Sequence, residues 1–289
     1  MDVSNCNMAA LVIHGGLNSK ESFEKHYEAY KLSMQRIIAG GYWYLKGHGA
    51  LETAIYTCKL LEDDPILNAG TGSVIQADGV IRMSASLMDG RSRIFSGVMN
   101  IEKVKNPVEV AARLQSEKDR VLAGQQANLY ARNIGIPEFD TETPERRREF
   151  EEKKSKKVKP TSTGGCVVLD EKGNIAASTS TGGKGWEIPG RVGDSPTTAG
   201  NYANALCGVS CTGTGEDIIS AAVASSFVTR ISDGMDMAKA KARALEELNS
   251  IKGSAGFIAL NKKAEIITGA TEPYLVWAKA DEKGTEIFT

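Results

Sequence analysis

The residues with the most chemistry to offer lie between Thr161 and Gly215. That stretch reads T-S-T-G-G-C-V-V-L-D from Thr161, S-T-S-T-G-G from Ser178, G-R-V-G-D-S-P from Gly190 and S-C-T-G-T-G-E from Ser210. Small hydroxyl side chains alternate with apolar residues and run into glycine turns. Such a pattern brings hydroxyl nucleophiles and backbone N–H groups to one place. Arg191 and Asp194, set among glycines, add one pair of opposite charges. A guanidinium grips a carboxylate through two parallel hydrogen bonds, and an aspartate holds an ammonium. Together they match the zwitterionic head of an α-amino acid. The same two residues could instead pair with each other as a surface salt bridge of little worth. The turn from Ser210 to Glu216 feeds a strand into a helix, where N–H groups and the helix dipole favour an anion. It lacks the lysine of a P-loop and the full dinucleotide spacing, which leaves an oxyanion hole or a plain tight turn.

No histidine follows His48 and G-x-S-x-G is absent, so there is no Ser-His-Asp order here. A threonine needs no histidine when its own α-amine is the base. That amine is free only at a chain N-terminus, so an internal threonine qualifies after a cut just before it. The preceding segment suits a cut. Residues 138–160 are almost devoid of apolar side chains, alternate blocks of Arg, Glu and Lys, and end at Pro160. They are expected to form a solvated, mobile linker, where cleavage leaves a fold intact.

The elements that must position these groups follow from periodicity. Ala9–Ile13 reads as a buried strand ending in the loop glycines Gly15 and Gly16. Helices are expected over Ser22–Leu45, interrupted at Gly40-Gly41, and over Gly49–Leu61. Strands are expected over Ser73–Gln76, Val80–Met88 and Ile94–Ile101. Asn106-Pro107 opens a helix to Leu114, and another runs from Val121 to Asn133. Beyond Thr161 come two strands joined at Lys172-Gly173, a loop from Gly182 to Gly200 and a strand Ala205–Ser210. Helices Asp217–Ile231 and Met235–Ser250 follow, then strands near Phe257, Ile266 and Val276. Strands, then helices, then strands predict a layered α+β fold.

Composition narrows the classes. A net charge of −1 over 289 residues implies neither a polyanion nor a membrane surface as partner. No His/Cys spacing suits zinc. The cysteines, Cys6, Cys58, Cys166, Cys207 and Cys211, are odd in number and sit mostly in apolar runs, which predicts buried free thiols and a reducing compartment. The apolar run Ala9–Ile13 is too short for a signal peptide or a membrane span, and a cytoplasmic protein is expected.

Six motifs, in order, carry a resemblance across nearly the whole chain: V-I-H-G-G from Val12, L-E-D-D-P-I-L-N-A-G-T-G-S-V from Leu61, L-M-D-G from Leu87, S-T-G-G from Ser180, G-R-V-G-D-S-P from Gly190 and S-C-T-G-T-G-E from Ser210. The chain resembles the plant-type asparaginase and isoaspartyl peptidase family of N-terminal nucleophile hydrolases. The resemblance implies a four-layer αββα sandwich in a single domain, 1–289, that forms a homodimer. It implies self-cleavage between Ser162 and Thr163, giving an α chain 1–162 and a β chain 163–289. Thr163 would then be the nucleophile, with Thr181 supporting its hydroxyl and Asn68 close by. Thr212 and Gly213 would form the oxyanion hole. Arg191 would bind the substrate carboxylate and Asp194 its ammonium, with a carbonyl from Gly215. Main-chain carbonyls of Leu61, Glu62, Asp64, Leu67, Ala69 and Thr71 would hold a structural sodium ion, and no catalytic cofactor is implied. The implied reaction is acyl transfer on the side-chain amide of asparagine or on a β-aspartyl (isoaspartyl) bond, through an ester.

The departures from the family pattern cluster around maturation. Ser162 replaces Gly or Asp before the nucleophile, and Gly164 replaces the common Val after it. Leu17 and Asn18 follow H-G-G, and Ser84 stands where an acidic residue is frequent. An uncleaved chain that binds an amino acid or a protein partner without turnover is therefore the alternative. A threonine protease of similar fold suits the Arg191-Asp194 pair less well than a free amino-acid head does.

Overall fold

The computed structural model describes residues 8–152 and 163–288; Cys6 and Ser162 lie outside them. The first part of the chain forms strand β1 (Ala10–Leu17), helices α1 (Lys20–Leu45) and α2 (Ala50–Glu62), strands β2 (Met83–Asp89) and β3 (Ile94–Ile101), helix α3 (Pro107–Leu114), strand β4 (Val121–Ala123), and helices α4 (Gly124–Asn133) and α5 (Pro144–Glu152). The second part forms strands β5 (Gly164–Leu169), β6 (Ile175–Thr181), β7 (Asn201–Ala203) and β8 (Cys207–Gly213), then helices α6 (Gly215–Ser220), α7 (Val223–Ser232) and α8 (Met237–Ser250), and finally strands β9 (Ala255–Asn261), β10 (Ile266–Ala270), β11 (Leu275–Asp281) and β12 (Gly284–Ile287).

The strands form two sheets, one in the order β12-β11-β1-β5-β6-β2-β3-β4 and one in the order β10-β9-β8-β7. Period-two alternation explains why both can be buried on two faces. In the larger sheet Leu11, Ile13, Cys166 and Val168 pack with Ile37, Ile38 and Leu61 of α1 and α2. Their neighbours Ala10, Val12, Val167 and Leu169 face Ile258 and Leu260 of the smaller sheet. The outer face of that sheet, Val209, Cys211 and Phe257, is covered by Val223, Phe227 and Leu248 of α7 and α8. The layers are thus helix, sheet, sheet, helix, as expected. Among the described residues no helix is long and apolar enough to cross a membrane, and Cys58, Cys166, Cys207 and Cys211 are buried free thiols.

Several elements differ from the sequence expectation. Strand β1 does not stop at Ile13 but runs through both glycines to Leu17, because β11 offers it a ladder as far as Leu17 opposite Leu275. Helix α1 is continuous through Gly40-Gly41. A Cβ at Gly41 would lie 2.6 Å from Thr57 Oγ1 and 2.7 Å from Leu11 Cδ2, so the missing side chain admits α2 and β1 rather than breaking the helix. Residues 73–76 form no strand. Their loop bonds instead to the segment around Trp186, through Trp186 N to Ile75 O at 2.9 Å and Ala77 N to Glu187 O at 3.0 Å. The helix expected from Asp217 to Ile231 is broken into α6 and α7 at Ala222, whose φ is 46°. The break lets Ala224 N reach Ala199 O at 2.8 Å and turns Phe227 onto the smaller sheet.

The charged segment also differs. Residues 144–152 are helix α5, and it is docked. Arg146 Nε donates to Gly72 O at 2.6 Å, and Phe150 stacks on Trp186 with centroids 4.2 Å apart. The stretch reads as solvated because only one aromatic side chain and the guanidinium of a charged residue make these contacts.

Candidate active site

The site lies at the end of the gap between the sheets. Strands β5 and β6 pair antiparallel with Gly164 opposite Ser180. The same register sets Thr163 beside Thr181, and Thr163 Oγ1 donates to Thr181 Oγ1 at 3.2 Å. Alternation then sends Thr163 and Gly165 of one strand, Thr179 and Thr181 of the next, and Ser210 and Thr212 of β8 to a common side. Hydroxyl groups therefore converge where the sheets face each other. Thr163 is buried, 6% exposed, and what is open of it lines a cleft.

The carbonyl of Thr163 is anchored from behind by His14, a contact not foreseen from the sequence. His14 is fully buried, with Nδ1 3.0 Å from Thr163 O and Nε2 2.8 Å from Ser210 Oγ. A carbonyl only accepts, so Nδ1 carries the proton and Nε2 accepts from Ser210. Ser210 Oγ in turn meets Thr179 Oγ1 at 2.6 Å. Burial pushes the imidazole down to about 3, against the opposing pull of the Thr163 carbonyl, so the ring is neutral and its tautomer fixed. Gly165 completes the arrangement, since a Cβ there would overlap Ser210 Oγ. The sequence signal was the histidine of V-I-H-G-G, but nothing local ties it to a threonine 149 residues away.

A narrow cleft opens over these hydroxyls, lined by Thr163, Thr181, Lys184, Arg191, Asp194 and Gly215, among others. Arg191 does not pair with Asp194. Glu216 takes it, accepting from Nε at 3.0 Å and Nη2 at 2.7 Å, and that bond pulls the Glu216 carboxyl down to about 2. Nη1 has no acceptor among the described residues. Asp194 is buried, with Oδ2 unpartnered among them. Burial pushes its carboxyl up to about 7, only partly offset by the charge of Arg191. Gly215 holds the two charges apart without filling the space: a Cβ there would lie 2.7 Å from Arg191 Nη2 and 3.0 Å from Asp194 Oδ1. The cleft thus presents a donor face beside an acceptor that has no positive partner.

The other expected residues fall around this cleft. Gly213 lines it. Thr212 is buried, and its Oγ1 accepts from Leu17 N at 3.2 Å, which frees the hydroxyl proton for donation elsewhere. Asn68 is tied to the residues that follow Thr181. Its Nδ2 donates to Gly183 O at 2.7 Å, its carbonyl accepts from Gly182 N at 3.0 Å, and Gly183 N donates to Thr181 Oγ1 at 3.1 Å. Glu62, expected only as a carbonyl donor, also works through its side chain. Oε1 accepts from Ser180 Oγ at 2.7 Å and from Val108 N at 3.0 Å, so one carboxyl joins the Leu61–Thr71 loop, β6 and the start of α3. Leu17 is buried in β1, and Gly164 faces Leu61, where a Cβ would meet Leu61 Cβ at 3.2 Å.

The αββα sandwich with its cleft at the mouth of the inter-sheet gap is the fold of the N-terminal nucleophile hydrolases, and the chain is a hydrolase. The asparaginase family model matches residues 7–289, and the chain belongs to that family. It is 42% identical over 285 residues to an isoaspartyl peptidase/L-asparaginase of Synechocystis sp., covering 93% of this chain and 86% of that protein. It is 37% identical over 261 residues to a plant-type L-asparaginase of Pyrococcus abyssi, covering 83% and 85%. It is 37% identical over 284 residues to an isoaspartyl peptidase/L-asparaginase of Rattus norvegicus, covering 93% and 85%.

Proposed function

We propose that this protein hydrolyses the side-chain amide of L-asparagine and the isoaspartyl bond of β-aspartyl dipeptides, with Thr163 as nucleophile after self-cleavage between Ser162 and Thr163. The observation that carries the reading is the Thr163–Thr181 hydroxyl pair beside a cradle of opposite charges, Arg191 and Asp194. In maturation the Thr163 hydroxyl attacks the carbonyl of Ser162, the peptide bond becomes an ester, and water releases the two chains. The freed α-amine is the base the site otherwise lacks. His14 is not that base, because the lone pair on its Nε2 accepts from the Ser210 hydroxyl and its Nδ1 proton is held by the Thr163 carbonyl.

In turnover Arg191 receives the substrate α-carboxylate and Asp194 the α-ammonium. The Thr163 hydroxyl adds to the side-chain carbonyl while its proton passes to the α-amine. The oxyanion is met by the Thr212 hydroxyl and Gly213 N–H. The C–N bond then breaks, the amine leaves with the proton, and water hydrolyses the ester. In the uncut chain Glu216 and Lys184 stand over the cleft, and both are partly exposed and able to move aside.

The Leu61–Thr71 loop supports the sodium assignment. A Cβ at Gly72 would overlap Pro65 O and lie 2.8 Å from Leu67 O, so these two carbonyls, one of them in the implied set, turn toward one point, and oxygen is the donor that hard cations take. Carbonyls of Leu61, Glu62, Asp64, Leu67, Ala69 and Thr71 would hold the ion. Its part would be to stiffen the loop that places Asn68, with no role at the reacting carbonyl. The homodimer belongs to the same family reading, and the buried free thiols support a cytoplasmic location.

The test is the denaturing mass of the purified protein with parallel assays for ammonia and aspartate. Two chains split at Ser162-Thr163, with product release, are expected. A persistent single chain of 30.9 kDa that binds aspartate without turnover would establish the alternative. Acidity gives a second expectation. Burial pushes the Asp194 carboxyl up to about 7, and its protonated form cannot hold an ammonium. The α-amine must also be neutral to act as base, so for the processed enzyme kcat/KM should fall by tenfold or more per pH unit below about 7, and Asp194→Asn should make the acid limb shallower. A flat profile down to pH 5 would remove Asp194 from substrate binding.

A further inference from the structure

Lys184 is absent from the reaction described above, yet it lines the same cleft as Thr163 and Arg191. It follows Gly183, whose N–H bonds at 3.1 Å to Thr181 Oγ1, the hydroxyl that meets Thr163. Its backbone N–H is held by Glu187 Oε1 at 3.1 Å. The side chain reaches from there to Glu216, with Nζ 3.3 Å from Oε1. The stem therefore runs from the reacting end of the cleft to the guanidinium end, across the mouth. Glu216 is already committed to Arg191 by two shorter bonds. The Lys184 contact is single, longer and well exposed, with side chains 40% and 50% accessible, and such a pair is easily exchanged for another.

The substrates of the proposed reaction differ in what leaves. Asparagine releases ammonia, whereas a β-aspartyl dipeptide releases an amino acid that bears its own carboxylate. The head of either substrate uses Arg191 and Asp194. The extra carboxylate of the dipeptide emerges beyond Thr163, at the reacting end where the Lys184 stem is rooted, and Nζ meets it by exchanging its Glu216 contact. We infer that Lys184 reads the carboxylate of the leaving residue, so that this site favours β-aspartyl dipeptides with a free C-terminus over substrates that lack it. The inference rests on the hydrolase reading and adds a specificity determinant to it.

The experiment compares β-aspartyl-leucine with β-aspartyl-leucine amide, which differ only in that carboxylate, on processed wild type, Lys184→Arg and Lys184→Met. Wild type is expected to prefer the free acid in kcat/KM by about fivefold, the worth of one partly exposed charge pair. Lys184→Arg should keep the preference and Lys184→Met should bring the ratio to about one. High salt should shrink the wild-type ratio, because the pair is solvent-facing. Equal rates on both substrates in wild type, or an unchanged ratio in Lys184→Met, would overturn the inference while leaving the hydrolase intact. Failure of processed wild type to hydrolyse either compound would instead overturn the hydrolase reading itself.

Discussion

Thr163→Ala is expected to give one uncut chain of 30.9 kDa with hydrolysis reduced by roughly 10⁴-fold or more, the scale seen when a nucleophile is removed. The same hydroxyl is required twice, first on the carbonyl of Ser162 and then on the substrate. The variant should still fold. The described side-chain hydrogen bond of Thr163 is the one to Thr181, worth about 1 kcal/mol, while the carbonyl remains anchored on His14. Mass and activity are read alongside a thermal melt, and Thr163→Ser should recover both cleavage and part of the activity. Cleavage or turnover surviving in the alanine variant would take Thr163 out of the role.

Arg191→Ala is expected to raise KM by about 100-fold, since truncating one side of a desolvated carboxylate pair costs about 2–5 kcal/mol. Self-cleavage should proceed normally, because the cut uses no substrate head. The substitution also strips Glu216 of its bidentate partner and leaves it the single contact to Lys184. Its carboxyl, now held near 2 by Arg191, then returns toward the ordinary range. A processed enzyme with high KM and little change in kcat is the outcome that fits a binding residue. A chain that failed to mature would make the Arg191–Glu216 pair part of the scaffold instead.

What could be read along the chain was local and periodic. A hairpin with its turn at Lys172-Gly173 has one register, and that register pairs Thr163 with Thr181 without reference to any other part of the molecule. Alternation alone puts Thr179 on the same face. The buried thiols, the helix from Pro107 and the charge character of Arg191 and Asp194 also follow from residue type and neighbours.

Tertiary structure decided the rest, because each case depends on which distant surface arrives. Gly40-Gly41 reads as a helix break until Thr57 and Leu11 come close enough to exclude a side chain. Arg191 has two carboxylates in reach along the chain. Packing buries Asp194 and leaves Glu216 half exposed, so Glu216 takes the guanidinium and Asp194 is left for an incoming cation. His14, Thr163 and Ser210 share one hydrogen-bonded chain although 149 and 196 residues separate the histidine from its two partners. The sequence by itself determined which groups could react. The approach of the two sheets, close enough at Gly165 to exclude a side chain, determined how the reacting threonine is held.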